Sequence, residues 1–422
     1  MSIMKRLTKV ANLFLREIFG FISPSVDLSD TISEYEELID NPEKGKSIVF
    51  ERKLSNYIGG GEVISFASGR MAFYALLKTW GIGKGDEVAL TGFTCSVMVN
   101  AVLRVGATPV YVDIDPNTLG MSPKALSKII GSNTKVVVAQ HTFGIPCEID
   151  TIKTITQGAG AFLIEDCALS LGSSYKGIKV GNWGDAAIFS TDHTKPLNTL
   201  IGGFAYTNNK GIAESLRLIQ QNSGRLSNEH QNVILRRYLN ENRMENKRHN
   251  IFVLQSYWLA LKNKIKMAKL PSPYLHYEAS TKTDENDTYP YPAQMPPMIA
   301  AIGVKSLEEY LSTIDTRKKR LRDYLSIIKD EDKIPKAYYN TDNDIIPLRF
   351  AFFDYRGKYS FVDDWVWFKQ PIVASSEPLE NFGYLKGMCP NSEATGQRIM
   401  NLPILINEKK HIALVKQLIK NK

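Results

Sequence analysis

Three short groups of residues combine side-chain types that could do chemistry. Ser68-Gly69-Arg70 stands before a helical stretch, Glu165-Asp166 ends an apolar run, and Ser190 and Lys195 follow another apolar run. We expect each group to lie where a strand ends, although only the second and third directly follow one of the strands predicted below. Open α/β sheets bind their ligands at the carboxyl ends of strands, so the three groups are candidates for one site.

The first group combines small residues with two donors at a predicted helix start. Backbone N–H groups at a helix N-terminus can hold a phosphate, and the side chains of Ser68 and Arg70 would add donors. Helix starts are common, however, so this group alone does not identify a ligand.

The second group places two carboxylates just past a buried strand, which is costly unless each charge has a partner. We therefore expect Asp166 to meet a cation or a hydrogen-bond donor. A protonated ring nitrogen would serve, as in the acid–pyridinium pair that makes pyridoxal phosphate an electron sink. A helix cap or a salt bridge is the alternative interpretation.

The third group ends in Lys195, within a context of Thr, Pro and Gly. A lysine at a dry sheet end can form a Schiff base with a carbonyl compound. Surface lysines are far commoner, so this group too needs the other two.

The elements that would position these groups alternate between residues 60 and 210. Short β-branched runs alternate with helical spacing there, which predicts parallel strands joined by crossover helices in a doubly wound α/β domain. The predicted strands are 87–90, 109–113, 135–139, 161–164, 186–190 and 203–207. The predicted helices are 69–80, 95–105, 123–130 and 148–157.

The pattern outside residues 60–210 predicts further helices, a linker and a second domain. Polar helices follow Lys210, residues 271–297 are rich in Pro and Tyr, and a helix is expected at 298–314. Strands at 345–353 and 365–373 alternate with helices in a smaller C-terminal α/β domain. The predicted division is a lead-in at 1–59, a large domain at 60–224, an insertion and linker at 225–297, and a small domain at 298–422.

Composition excludes several classes of protein. With 43% hydrophobic and 23% charged residues, the chain is typical of globular proteins rather than of disordered or coiled-coil ones. Its four cysteines are widely spaced, which indicates neither a disulfide scaffold nor a zinc or other metal site and favours a reducing cytoplasm. No apolar run reaches about 18 residues, so no spanning helix is expected.

The net charge of +8 is concentrated rather than spread. Residues 225–270 carry ten basic and three acidic side chains, which could face a phosphorylated ligand or an acidic lipid surface. Residues 1–22 predict an amphipathic helix that docks on the body of the protein or lies on a membrane. No nucleic-acid-binding motif accompanies the charge, so nucleic acid is not an expected partner.

The order of the three groups is that of fold-type I pyridoxal-phosphate enzymes, and the chain resembles the DegT/StrS-type sugar aminotransferase family. The resemblance rests on GIGKGDEV from Gly81, NAVLRVGATPVYVDID from Asn100, HTFGIP from His141, IED from Ile164, and GDAAIFS from Gly184. It continues through Thr194-Lys195 and Gly202-Gly203. Beyond 60–210 it resumes in MPPMIAAIG from Met295 and, faintly, in NLP from Asn401.

The resemblance implies roles for matching positions. Lys195 would form the Schiff base with pyridoxal 5'-phosphate and later shuttle the proton, while Asp166 would hold the pyridine nitrogen protonated. Ser190, with Gly69 and Arg70, would hold the phosphate. Gln294 matches a position that reaches the phosphate of the neighbouring subunit, which implies a homodimer.

The chain also departs from the family pattern. Cys95 stands where an aromatic residue usually stacks on the cofactor ring, and Phe93 is a candidate to replace that stacking. Leu169 stands where a glutamine usually lies near the cofactor hydroxyl. The other departures are Arg70 for a threonine, Leu171 for a histidine and Ile201 for an acid. We expect the cofactor to be retained in a more apolar pocket.

The resemblance thus implies an aminotransferase that moves an amino group, from glutamate as donor, to a keto-sugar nucleotide for surface polysaccharide or deoxyaminosugar synthesis. A sugar dehydratase that uses the same cofactor is one alternative, although such relatives replace the lysine by histidine and here Lys195 stands. A non-catalytic relative that binds the cofactor or a sugar nucleotide is the other. A cytoplasmic protein is expected, with peripheral attachment to the inner membrane surface as a variant.

Overall fold

The computed structural model describes residues 26–28, 31–44, 47–246, 275, 289–328, 330–354, 366–375, 377–405, 411–412 and 415–416. The amphipathic helix predicted at 1–22 lies outside the described residues, as does most of the basic segment beyond residue 246. Within the described part of the chain, no helix combines the length and the apolar character needed to cross a bilayer.

The elements follow one another in a largely alternating order. The strands are β1 (Glu62–Phe66), β2 (Glu87–Thr91), β3 (Thr94–Cys95), β4 (Thr108–Val112), β5 (Thr134–Gln140), β6 (Phe162–Asp166), β7 (Ser174–Tyr175), β8 (Ile178–Lys179), β9 (Ala186–Ser190), β10 (Gly203–Thr207), β11 (Asn343–Asp344), β12 (Arg349–Phe353), β13 (Ile372–Val373) and β14 (Ile399–Pro403). The helices are α1 (Ile32–Asp40), α2 (Ser47–Ile58), α3 (Gly69–Thr79), α4 (Ser96–Arg104), α5 (Pro123–Ile129), α6 (Ile149–Gly158), α7 (Lys210–Asn222), α8 (Asn228–Asn246), α9 (Pro297–Ser312), α10 (Ile314–Ile327) and α11 (Pro390–Arg398).

A seven-stranded sheet forms the centre, in the order β1-β10-β9-β6-β5-β2-β4. Strands β4, β2, β5, β6 and β9 are parallel neighbours, and β10 runs antiparallel to both β9 and β1. The predicted α/β fold with a large, mostly parallel sheet is therefore confirmed. Strand β1, which the sequence analysis did not include, runs in the same direction as the parallel strands. The carboxyl ends of β1, β5, β6 and β9 consequently meet at one edge.

Both faces of the sheet are covered, which explains why its strands are apolar throughout. Val136 and Val138 of β5 pack into the larger core, whereas Val137 and Ala139 pack into a separate core that includes Ile152 of α6. Side chains alternate between the two faces of a strand, so a strand between two helical layers needs apolar residues at both phases.

The larger core extends beyond the predicted large domain. Phe50 of α2, Leu235 of α8 and Met298 of α9 are all buried in it. These helices pack across residues 59, 224 and 297, where the sequence analysis divides the chain, because helices distant in sequence cover the same face of the sheet. The division itself stays a prediction. Local patterns do not show which core an amphipathic helix will join.

The C-terminal residues build a second core on the antiparallel pair β12–β14. Tyr324 of α10 and Phe350 of β12 pack there together with Phe143 from the large domain. The strands predicted at 345–353 and 365–373 are wrong in extent, since β12 begins at Arg349 and β13 covers only Ile372–Val373. Pro347 has no N–H for a ladder, and Phe368 has a positive φ of 59°, which interrupts an extended strand.

Candidate active site

A cavity of about 500 Å³ lies at the carboxyl edge of the sheet, between the large domain and the C-terminal residues. Residues from several separate chain segments line it. They include Ser68, Gly69, Arg70, Cys95, Gln140, Asp166, Leu169, Ser190, Asp192, Lys195, Gly202, Val366, Trp367, Phe368, Lys369 and Val373. The three groups that sequence analysis singled out therefore share one cavity.

The N-terminus of α3 forms one end of this cavity. Ser68 caps the helix in an extended conformation, and its Oγ accepts a hydrogen bond from the N–H of Met71 at 3.4 Å. A Cβ on Gly69 would lie 2.9 Å from the carbonyl oxygen of Phe189. Only glycine lets this backbone approach β9 so closely, and the approach brings Ser190 beside the helix start. Together with Arg70, the arrangement is suited to an anion.

Asp166 is the last residue of β6 and is 5% exposed. Its Oδ1 accepts a hydrogen bond from the N–H of Ala168 at 3.0 Å. Burial raises the pKa of this carboxyl, although the Ala168 hydrogen bond and the charge of Lys195 both act to lower it. A cationic partner in the cavity would offset the remaining cost of burying the carboxylate.

Glu165, the residue before Asp166, has a structural role. Its carboxylate accepts hydrogen bonds from the N–H groups of Gly181, Trp183 and Gly184 at 2.6–2.8 Å and lies 3.0 Å from Nε2 of His141. These partners occupy both oxygens and hold the loop 181–184 against β6. His141, Glu165 and Cys167 bring possible metal ligands within 4.8 Å of one another, but the carboxylate is already fully hydrogen-bonded.

The loop after β9 presents Lys195 to the cavity. Asp192 organises this loop, because its Oδ1 accepts hydrogen bonds from Thr194 N–H at 3.1 Å and Thr194 Oγ1 at 3.0 Å. Burial opposes ionisation of Asp192, but the neighbouring His193 and Lys195 hold the pKa of its carboxyl well below the usual range. Asp192 thus stays ionised close to Lys195.

Four of the five departures from the family pattern line the cavity, namely Arg70, Cys95, Leu169 and Ile201, whereas Leu171 is buried in the larger core. Cys95 lies at the start of α4, and burial raises the pKa of its thiol, opposed by a backbone hydrogen bond and by the charges of Lys195 and Arg70. Leu169 is 4% exposed and joins the second core. The wall at these two positions is therefore thiol and hydrocarbon.

Two predicted residues lie elsewhere. Phe93 does not line the cavity, because its ring is fully buried and stacks on Phe368 at a centroid distance of 5.2 Å. It does not replace the stacking that Cys95 lacks. Gln294 lines a separate cavity, where its amide donates to the carbonyl oxygens of Gln221 and Ser223. Its approach to a neighbouring subunit stays a prediction.

Comparison with known proteins identifies the family to which a chain with this site belongs. The model of the DegT/DnrJ/EryC1/StrS aminotransferase family matches residues 37–253, just over half of the chain. The chain belongs to this family.

Curated relatives match part of the chain. The spore coat polysaccharide biosynthesis protein SpsC of Bacillus subtilis is 36% identical over 170 residues, which is 40% of this chain and 44% of SpsC. The GDP-perosamine synthase of Caulobacter vibrioides is 36% identical over 177 residues, covering 42% of this chain and 48% of the synthase. The matched part thus spans less than half the length of these relatives.

Solved structures of the family match nearly the whole chain. The PLP form of the putative sugar aminotransferase Spr1654 of Streptococcus pneumoniae superposes with a TM-score of 0.67 at 18% identity and covers 95% of this chain and 97% of that one. At this identity the likeness establishes the fold, including the C-terminal part that the family model does not reach.

Two residues that shape the site in this family member were not among the residues predicted from the sequence. Trp367 lines the cavity, with its ring centroid 5.1 Å from Lys195 Nζ. Arg317, 2% exposed, donates a hydrogen bond at 3.2 Å to the carbonyl oxygen of Pro196, the residue after Lys195. The aromatic run Trp365-Val-Trp-Phe368 was a visible signal for the first, whereas nothing local indicates the second.

Proposed function

We propose that this protein is a pyridoxal-phosphate-dependent aminotransferase that moves an amino group from an amino acid, glutamate by family resemblance, to a keto-sugar nucleotide. The carrying observation is that one cavity brings together a helix N-terminus, the buried carboxyl of Asp166 and the amine of Lys195. The printed names of the relatives, among them a GDP-perosamine synthase and a spore coat polysaccharide biosynthesis protein, support a role in polysaccharide or aminosugar synthesis.

The residues present fit pyridoxal phosphate. Glycine at position 69 leaves room for the backbone to hold an anion, and Ser190 and Arg70 supply further donors there. Asp166 is a buried carboxyl at the same cavity, suited to the protonated ring nitrogen. When bound, the cofactor supplies an electron sink that lets an amino group be taken from a donor and passed to a ketone.

The chain's own groups perform the remaining tasks. With the cofactor bound, the negative charge of Asp166 would hold a proton on the ring nitrogen. Lys195 Nζ would hold the cofactor and, when its amine is free, would move a proton to or from the reacting carbon. The apolar wall at Leu169 and Val366 excludes water from this region, which strengthens the charge interactions within it.

The proposal extends to partners. It includes a homodimer in which Gln294 acts toward the neighbouring site, and the family resemblance supports this part. It also includes peripheral attachment to a membrane through the basic segment 225–270, which the charge distribution supports. The departures at Cys95 and Leu169 support the second candidate, a relative that binds the cofactor or a sugar nucleotide without turnover.

Covalent trapping tests the proposal. Purified protein is incubated with pyridoxal phosphate, its visible spectrum is recorded, and borohydride reduction is followed by peptide mapping. We expect a visible band that reduction converts into a pyridoxyl group on Lys195. Glutamate should bleach the band before reduction, and Lys195→Ala should lower amination of a keto-sugar nucleotide at least about a hundredfold.

Lys369 provides the matched control, because it is a second lysine lining the same cavity. In Lys369→Ala the pyridoxyl group should still map to Lys195. A colourless protein that takes up no cofactor would contradict the whole proposal. A band that glutamate never bleaches would instead support the candidate that binds without turnover.

A further inference from the structure

Trp367, from the C-terminal part of the chain, lies beside the amine of Lys195. Its ring centroid is 5.1 Å from Lys195 Nζ, within the range of cation–π attraction. Val366 and Phe368 on either side also line the cavity. The indole is therefore part of the wall beside Lys195.

Two buried residues hold the indole in place. The backbone N–H of Trp367 donates a hydrogen bond to Asn401 Oδ1 at 2.6 Å, and the guanidinium carbon of Arg349 lies 4.1 Å from the ring centroid. Arg349 and Asn401 belong to β12 and β14, which pair antiparallel, and they are 3% and 0% exposed. A ring fixed to a paired strand in this way can position a neighbouring group accurately.

The segment that carries Trp367 is also joined to the strand that carries Cys95. Val373 pairs with Cys95 where β13 runs parallel to β3. The cavity thus has a thiol at the position where the family usually has a ring, and an indole from the C-terminal part beside the lysine.

We propose that Trp367 is a positioning residue for Lys195. The face of its indole ring favours the protonated state of the lysine-derived nitrogen and so raises the pH at which that nitrogen loses its proton. This inference rests on the proposed function, since it concerns the nitrogen that would carry the cofactor. The other ionisable side chains that line the cavity are Arg70, Cys95, Asp166, Asp192 and Lys369. His193 contacts Asp192, and the guanidinium of Arg349 lies over the indole ring.

The test follows the visible absorbance of the protein loaded with pyridoxal phosphate as the pH is raised from neutral to alkaline. The midpoint of the spectral change reports loss of the proton from the nitrogen that links Lys195 to the cofactor. We expect Trp367→Leu to lower this midpoint by about half to one pH unit, because leucine keeps an apolar wall but has no π face. Trp367→Phe should lower it less.

Trp80→Phe is the control, because Trp80 stacks on Phe162 outside the cavity, and its midpoint should equal that of the wild type. A midpoint in Trp367→Leu equal to the wild-type value, in protein that still loads the cofactor, overturns the inference. If the leucine variant does not fold, the phenylalanine variant decides by the same criterion. A wild-type protein with no visible band overturns the proposed function and this inference together, whereas a band with unmoved midpoints overturns only the inference.

Discussion

The adjacent carboxylates of Glu165 and Asp166 differ in how far hydrogen bonds within the fold compensate their buried charge. Glu165 accepts four hydrogen bonds and is fully buried, so its charge is compensated within the fold. Asp166 points to the cavity with the N–H of Ala168 as its donor, and its pKa is raised by burial. A carboxyl with a raised folded-state pKa destabilises the protein when ionised, so Asp166 is retained at a cost to stability.

Asp166→Asn should therefore raise the melting temperature of the cofactor-free protein at neutral pH. The folded pKa of Asp166 lies above its unfolded value, so the loss of stability begins as the pH rises through the unfolded pKa of about 4 and is complete above the folded pKa. Below about pH 4 the difference vanishes. We expect a gain of about 1–3 °C at pH 7 that disappears in acid. Differential scanning calorimetry at several pH values measures it.

Glu165→Gln is the matched comparison at the neighbouring position. It should lower stability by about 1.5–3 kcal/mol, because charged hydrogen bonds to buried N–H groups are weakened. A loss of stability in Asp166→Asn as large as that in Glu165→Gln would show that Asp166 is compensated within the fold and would contradict the prediction.

The start of α3 depends on close packing between elements. Gly203, the first residue of β10, has no room for a side chain, since a Cβ there would clash with the backbone N and Cα of Gly69 and lie 2.6 Å from Phe189 O. The anion-binding end of the cavity is thus shaped by three backbone segments in direct contact.

Gly203→Ala should displace the N-terminus of α3 and weaken the uptake of pyridoxal phosphate. We expect a loss of about 1–3 kcal/mol in stability from overpacking and at least a tenfold rise in the dissociation constant, because each 1.4 kcal/mol of lost binding is a factor of ten. Urea unfolding and a spectroscopic titration with the cofactor measure the two effects.

Gly158→Ala provides the control for this substitution, because a Cβ at that position meets no atom within 4 Å. Its cofactor affinity should match the wild type. Equal affinities in Gly203→Ala and the wild type would mean that the helix start does not bind the phosphate, whatever happens to stability.

At the scale of the whole molecule, Arg317 of α10 joins the C-terminal part to the loop that carries Lys195. Its guanidinium donates to the carbonyl oxygens of Pro196 and Pro347 at 3.2 Å each and to Thr313 Oγ1 at 3.0 Å. Burial lowers the pKa of this guanidinium, which shows that the charge is costly where it lies. The planar fork with several donors suits such a position better than an ammonium group does.

Arg317→Lys should loosen the loop that carries Lys195 while keeping the charge. We expect a loss of about 1–3 kcal/mol in unfolding free energy, because a lysine cannot satisfy both carbonyl oxygens, together with slower attachment of pyridoxal phosphate to Lys195. Thermal unfolding and the rate of appearance of the visible band measure these changes.

Arg322→Lys, on the exposed face of the same helix, should change neither quantity. If Arg317→Lys loses stability but attaches the cofactor at the wild-type rate, Arg317 supports the fold without positioning the loop. Wild-type stability in Arg317→Lys would show that the hydrogen bonds of Arg317 to Pro196 and Pro347 do not stabilise the fold.

Much of the parallel sheet could be predicted because its information is local. Strands such as β5 and β9 are short apolar runs, and α3 and α5 follow from helical spacing near small or capping residues. Strand β1 was not predicted, and the strand extents in the C-terminal part were wrong. Interruption by Pro347 and by the positive φ of Phe368 depends on contacts that a hydrophobic pattern does not record.

The sequence by itself determined that three chemically capable groups end neighbouring elements of an α/β sheet, because strand, turn and helix starts are encoded within a few residues. Only the tertiary structure decided that Trp367 and Arg317 approach Lys195 and Pro196. Those contacts join residues more than a hundred positions apart. Their formation depends on how complete elements pack, and that packing is a property of the whole chain.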